Sequence, residues 1–187
     1  KVHLRSFPLK AELTRSVAAR VNGSAFLTAS GANDTPTPFL PGPVNVFLGE
    51  DFVGKTELPQ VAQGDQVKLA FGVDDRIKVE RKIIDRKRES AGLISKQDVY
   101  RYLIRTSVKN LYAKAVSVTA LDQIPVSRDE TMQVEVLNGT TPTAEPADPM
   151  KPGVRTYKLK LEPKAEKVIE LHYEVRVPRG QEVRGLE

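Results

Sequence analysis

The strongest signal along the chain is a two-residue alternation of apolar and polar positions, broken at regular intervals by Gly, Pro and Asp. From Gly42 onward it recurs three times: in Val44, Val46 and Leu48, in Val67, Leu69, Phe71 and Val73, and in Ile77, Val79 and Ile83. Successive side chains of a strand point to opposite faces, so each run offers one oily face to a core and predicts a meander of β-strands. Gly49-Glu50-Asp51 reads as the turn between the first two strands. Gly54, inside the next strand, reads as the mark of a β-bulge or a close backbone approach. Upstream, Lys1 to Val21 alternate with Leu13, Val17, Ala19 and Val21 as the inward positions, and Asn22-Gly23 joins them as a hairpin to a strand over Ala25 to Ala29.

Gly31 to Pro43, with four prolines and two glycines, forbids regular pairing and reads as a loop. From Lys87 to Gln97 the period fails, which predicts an exposed excursion. Strands resume over Asp98 to Lys109, Ala115 to Ile124, Met132 to Leu137, Val154 to Leu161 and Lys167 to Val177, with a proline-rich loop from Asn138 to Gly153. In the first of these Tyr100, Tyr102, Ile104, Thr106 and Val108 share the inward face. In the last, Ile169, Leu171, Tyr173, Val175 and Val177 face in, while Glu170, His172, Glu174 and Arg176 face out. No stretch of about 11 residues carries a helical period, and Val, Thr and Ile abound. The expected fold is all-β: two β-sandwich-like units over residues 1–90 and 91–187, the second of immunoglobulin-like size, linked by the excursion.

At 187 residues with 40% apolar content, the chain can build a sizeable core. It contains no run of about 18 apolar residues that would span a bilayer and no export signal. It opens at Lys1 without Met, so residues upstream are expected. Zero cysteines exclude a disulfide framework and a thiolate zinc site, and fit a bacterial envelope or the cytoplasm equally.

The net charge of +5 matters only where it clusters, and one run qualifies. Arg76, Lys78, Arg81, Lys82, Arg86, Lys87 and Arg88 form a candidate anion-binding surface against Glu80 and Asp85. The run alternates with Ile77, Val79 and Ile83 and holds no interleaved aromatics to stack bases, so a solvated hairpin face is favoured and no nucleic acid is expected.

Reactive groups are sparse. His3 and His172 are too few for most metal or triad schemes, and His172 alternates outward, as a surface residue does. Asp122, Ser127, Asp129 and Glu130 hold the elements of a nucleophile and its acids, yet no Gly-x-Ser-x-Gly elbow strains the serine outward. A loop stiffened by Pro125, with Ser127 and Asp129 bonding local amides and Arg128 beside them on its surface, is the simpler reading. Asp74-Asp75 could offer oxygens to calcium, but the spacing is not that of an EF-hand, and the pair reads as capping groups in a strand turn. No catalytic, cofactor or metal residue is assigned.

Taken together, LPGPVNVFLGEDFVG (Leu40 to Gly54), FGVDDRIKVERK (Phe71 to Lys82), VKNLYAKAVSVTALDQIPVSRDE (Val108 to Glu130) and YEVRVPRGQEVRGL (Tyr173 to Leu186) resemble the C-terminal domain of the mucoidy inhibitor A family of bacterial proteins. The resemblance implies a parent with a β-rich N-terminal domain and a coiled-coil-prone middle through which it could oligomerise, and an envelope-linked role. The domain's own function is unknown, so the resemblance carries over no catalytic residue. The expected role is a non-catalytic module that binds a protein or a cell-surface polymer through a sheet edge or end loops. The alternatives are a hydrolase or metal-dependent enzyme built on the turn carboxylates and Ser127, and anionic-polymer binding through the basic run.

Overall fold

A computed structural model describes residues 6–90, 97–127, 129–146 and 148–181, and every regular element among them is a β-strand. The ten strands are β1 (Glu12–Ala18), β2 (Ser24–Ala32), β3 (Gly42–Leu48), β4 (Asp51–Leu58), β5 (Gln66–Ser90), β6 (Gln97–Asn110), β7 (Val116–Gln123), β8 (Gln133–Val136), β9 (Val154–Leu161) and β10 (Glu166–Pro178). They form an eight-stranded sheet in the order β8-β10-β6-β5-β2-β1-β7-β9 and a two-stranded sheet of β3 and β4. The protein is all-β, consistent with a β-sandwich. Its contacts define two compact units, Lys1–Ser16 with Ala25–Asp75 and Val17–Ser24 with Arg76–Glu187; the boundary read from the sequence at residue 90 falls inside the second.

In the first unit Ala25, Leu27, Ala29, Val46, Val61 and Val67 are buried. The alternation of β1 is read correctly at Val17, but its other buried position is Arg15, while Leu13 and Val21 are 43% and 87% exposed. Val21 lies beyond the strand, in the turn where its amide bonds Ala18. The proline-rich loop is ordered around fully buried Asn33. Its amide nitrogen donates to the carbonyls of Thr37, Val61 and Ala62, and its oxygen accepts from the Thr35 amide and hydroxyl. Gly54 does sit beside a bulge, because the β3–β4 register slips between Val46, opposite Gly54, and Phe47, opposite Phe52.

The runs at 67–73 and 77–83 are not separate strands. They belong to β5, 25 residues long, which stays extended through Gly72 at φ +78°, a conformation only glycine adopts without strain. Asp74 and Asp75 therefore lie within a strand rather than at a turn, and Lys87 to Ser90 continue it rather than opening an excursion. Gln97 already belongs to β6, and residues 91–96 lie outside the described residues.

The second unit is organised on β6, which pairs antiparallel with β5 on one side and β10 on the other. Tyr100, Tyr102, Ile104, Leu171, Tyr173, Val175 and Val177 form a buried cluster, with Ile124, Met132 and Val134 packed against it. Both predicted inward faces are present, since Thr106, Val108 and Ile169 are buried too. β7 pairs with β9. Where the chain leaves β6, buried Asn110 donates to the carbonyls of Lys114, Leu161 and Glu162 and accepts from the Tyr112 amide.

The loop after β8 is more ordered than its four prolines imply. The Leu137 amide and the Thr140 hydroxyl donate to the His172 carbonyl, and the His172 amide donates back to Thr140 Oγ1. The Thr141 amide donates to the Glu170 carbonyl, and the Glu170 amide donates back to Thr141 Oγ1. Further on, the Ala144 amide donates to the Thr156 carbonyl, and Glu145 pairs with Lys158. One segment thus straps β10 and β9, the edge management that open sheets need.

Candidate functional site

A concavity lies on the outer face of the second unit, and a bulge builds it. Along β5 and β6, Arg81 stands opposite Thr106 and Ile83 opposite Ile104, so these β5 positions share the core face. Ile84 then has no partner, and Asp85 stands opposite Leu103. A one-residue slip exchanges the faces of every later side chain. Asp85, Lys87 and Glu89 therefore join Arg101 and Leu103 on the outer face, while Arg86 and Arg88 turn onto the rings of Tyr102 and Tyr100, at 5.7 and 5.4 Å from ring centroid to guanidinium carbon.

Asp85, Lys87, Glu89, Arg101, Tyr102, Leu103, Leu137 and His172 line the resulting groove, about 220 Å³ in volume. Its charged walls are paired: Lys87 Nζ lies 3.2 Å from Asp85 Oδ2, and Arg101 Nη1 donates to Glu89 Oε2 at 2.7 Å. The Arg101 Nε donates to Glu174 Oε2 at 3.1 Å. Glu174 also pairs with Arg176, which lies 3.6 Å from Glu135, so alternating charges cross β5, β6, β10 and β8 in one row. The hydrogen bond from Glu174, and then the charge of Glu89, hold the Arg101 guanidinium still more firmly protonated than usual. Beside this row Arg105 donates twice to Glu170 Oε1, and this guanidinium holds the Glu170 carboxyl below its usual range.

His172 forms part of the groove instead of standing free. Its side chain is only 26% exposed, its Nε2 lies 3.7 Å from Glu170 Oε2, and its ring would touch a Cβ at Gly139. Glu174, expected outward and exposed, is 3% exposed because its two arginine partners cover it. Ile83-Ile84, two apolar residues in succession, is the one sequence signal of the bulge. The strap residue Leu137 left none.

The structure distributes the candidate cations over both faces of one strand. Arg76 lies over Tyr112 at 5.3 Å, and Arg81, with its side chain 14% exposed, points at buried Asp122 at 3.6 Å. Lys82 pairs with Glu80, Lys87 with Asp85, and Arg88 with Asp98; Lys78 is exposed. The aromatics that the run itself lacks come from β6 and the segment after it, and they stack on the arginines. Asp74 is buried against Arg15, while Asp75 is exposed. Ser127 and Asp129 make a local turn: the Asp129 amide donates to Ser127 Oγ, Ser127 Oγ donates to the Asp129 carbonyl, and Asp129 Oδ1 accepts from the Thr131 amide and hydroxyl. Those bonds, the Thr131 hydroxyl first, hold the Asp129 carboxyl below its usual range. Arg128 and His3 lie outside the described residues. No group of three or more His, Asp or Glu placed to hold a metal occurs among the described residues.

The chain is all-β, and its candidate groups Asp74, Ser127 and Asp129 are held in an ion pair and turn hydrogen bonds. Residues 8–179 match the family described as Domain of unknown function (DUF4139), and the chain belongs to that family. It is also similar to Protein F37C4.5 of Caenorhabditis elegans, 30% identical over 148 residues, which are 79% of this chain and 26% of the relative. The chain thus spans about a quarter of that relative's length. No solved structure matches.

Proposed function

We propose that this chain is a non-catalytic β-sandwich module of a larger protein, and that it binds a protein partner through the outer face of β5, β6 and β10. The observation that carries the reading is the Ile84 bulge, which spends a ladder position to turn Asp85, Lys87 and Glu89 onto the face of Arg101, Leu103 and His172. Bulges that re-aim side chains concentrate where sheets do work other than pairing. The groove mixes both charge signs with two leucines and an imidazole, which suits a polypeptide. A uniformly anionic polymer or nucleic acid would meet Asp85 and Glu89. Edge pairing is disfavoured in this unit because the strap holds β10 and β9, so a face, not an edge, is the docking element. A non-catalytic reading is supported by the ion pair that holds Asp74 and the turn hydrogen bonds that hold Ser127 and Asp129.

The finer parts of the reading are an immunoglobulin-like topology for the second unit, membership of the mucoidy inhibitor A family and an envelope-associated bacterial parent that oligomerises through a coiled coil. They rest on strand number and on the order of the segments quoted above. The test is a photo-crosslinking amino acid placed at Leu137 and, as a control, at exposed Ser117 on β7, in the parent protein within its own cells. The expected result is a discrete protein adduct at Leu137, none at Ser117, and an affinity for the purified adduct partner that falls at least about tenfold in Arg101→Glu. Equal adducts at both positions, or an affinity unmoved by Arg101→Glu, would contradict it.

A further inference from the structure

A second surface, in the first unit, has a different chemistry. At the tip of the β3–β4 hairpin Phe47 and Phe52 stand opposite each other, with ring centroids 5.4 Å apart and planes at 64°. They are 54% and 55% exposed, and neighbouring Leu48 is 42% exposed. The bulge between Val46 and Phe47 keeps both rings on one face. Scattered single hydrophobics need no explanation, whereas two half-exposed rings packed on each other beside a turn mark an interaction site.

Two features select the occupant. Each half-exposed ring offers about 100 Å² of apolar surface, given the 150–250 Å² an aromatic buries in full. The tip therefore falls well short of the ~800 Å² per partner that a stable dimer of two copies needs. Such an area suits the apolar stripe of a single helix. The charge at the turn is acidic: it reads Gly49-Glu50-Asp51, ahead of Lys55 on the following strand. The first unit as a whole holds six Lys or Arg and eight Asp or Glu, in a chain whose net charge is +5. An anionic bilayer would be repelled, and a segment bearing Lys or Arg attracted. We propose that the hairpin tip docks an amphipathic helix with apolar anchors on one face and Lys or Arg beside them.

The chain contains no Trp, so the fluorescence of a single Trp in a synthetic helical peptide reports binding without background. The probe carries Leu at i, i+3, i+4 and i+7 with Lys elsewhere, and a matched peptide replaces Lys by Glu. The Leu/Lys peptide is expected to bind the wild type at least about tenfold more tightly than it binds Phe47→Ser/Phe52→Ser, and tenfold more tightly than the Leu/Glu peptide binds the wild type. Thermal unfolding confirms that the variant is folded. Glu50→Lys/Asp51→Lys leaves the rings in place and is expected to reverse the peptide preference. Equal binding by the folded double serine variant would overturn the proposal. So would an unaltered preference in the lysine variant, sedimentation of the wild type with phosphatidylglycerol vesicles, or a dimer that the serine substitutions dissolve.

Discussion

Arg15 Nε donates to Asp74 Oδ2 at 2.7 Å, and the two side chains are 9% and 3% exposed, joining β1 to β5 across 59 positions of sequence. Removing Asp74 takes from the buried Arg15 guanidinium the carboxylate bonded at 2.7 Å. Asp74→Ala is therefore expected to lower stability by about 3–5 kcal/mol, whereas Arg15→Met/Asp74→Leu, which fills the same space with apolar atoms, is expected to recover most of that loss. Urea unfolding of the three proteins checks it. A small effect of Asp74→Ala would mean that the carboxylate is not the arginine's main support.

The strap over β10 rests on two hydroxyls. Both valine substitutions keep the shape of the side chain: Thr140→Val deletes the bonds that its hydroxyl donates to the His172 carbonyl and accepts from the His172 amide, and Thr141→Val deletes the bond that its hydroxyl accepts from the Glu170 amide. Each is expected to destabilise by about 1 kcal/mol and to speed amide exchange at His172 and Glu170 relative to Leu171. Unchanged exchange at these two amides would contradict the strap.

Gly153 and Gly180 separate crowding from backbone strain. Both have positive φ, +77° and +81°, but a Cβ at Gly153 would lie 2.6 Å from the Ile124 carbonyl, while one at Gly180 would meet open space. Gly180→Ala is expected to lose about 1 kcal/mol and Gly153→Ala clearly more, about 2–4 kcal/mol. Thermal melts of the pair decide it.

How far this architecture can be read from the sequence depends on whether the cause is local. The faces of β6 and β10 are legible because alternation alone assigns them, down to Thr106 on the core side. The Ser127–Asp129 turn is legible for the same reason, since its bonds are made within a few residues. The groove is not, because it requires a slip at Ile84 that moves three later side chains to the other face, and a strap arriving from after β8. Glu174 and Asp74 read as surface or turn acids because their arginine partners lie 73 and 59 positions away. Asn33 and Asn110 carry no local sign of their role, because each gathers carbonyls from segments that meet only in the folded chain.

Tyr157 and Tyr173 are almost wholly buried, and burial is the first cause that raises both phenols above their ordinary value of 10.0. The folded state favours the neutral phenol, so this stability is fully present below about pH 10 and is lost as pH rises through the raised folded values. The tyrosinate absorbance of the chain's five tyrosines is expected to show these two ionising late, together with alkaline unfolding. Tyr173→Phe is expected to shift that unfolding to higher pH. Five tyrosines titrating together near their ordinary value in the folded protein would refute it.

The Ile84 bulge can be tested by covalent register, because the native chain has no cysteine to interfere. With the bulge, Lys87 faces Arg101 across the ladder. Without it, Arg86 would take that place. Oxidation of Lys87→Cys/Arg101→Cys is expected to close a disulfide readily under conditions in which Arg86→Cys/Arg101→Cys stays reduced, since bridged cysteines need Cα atoms within roughly 7 Å and Cβ atoms on one face. The opposite preference would return Asp85, Lys87 and Glu89 to the core side and remove the groove.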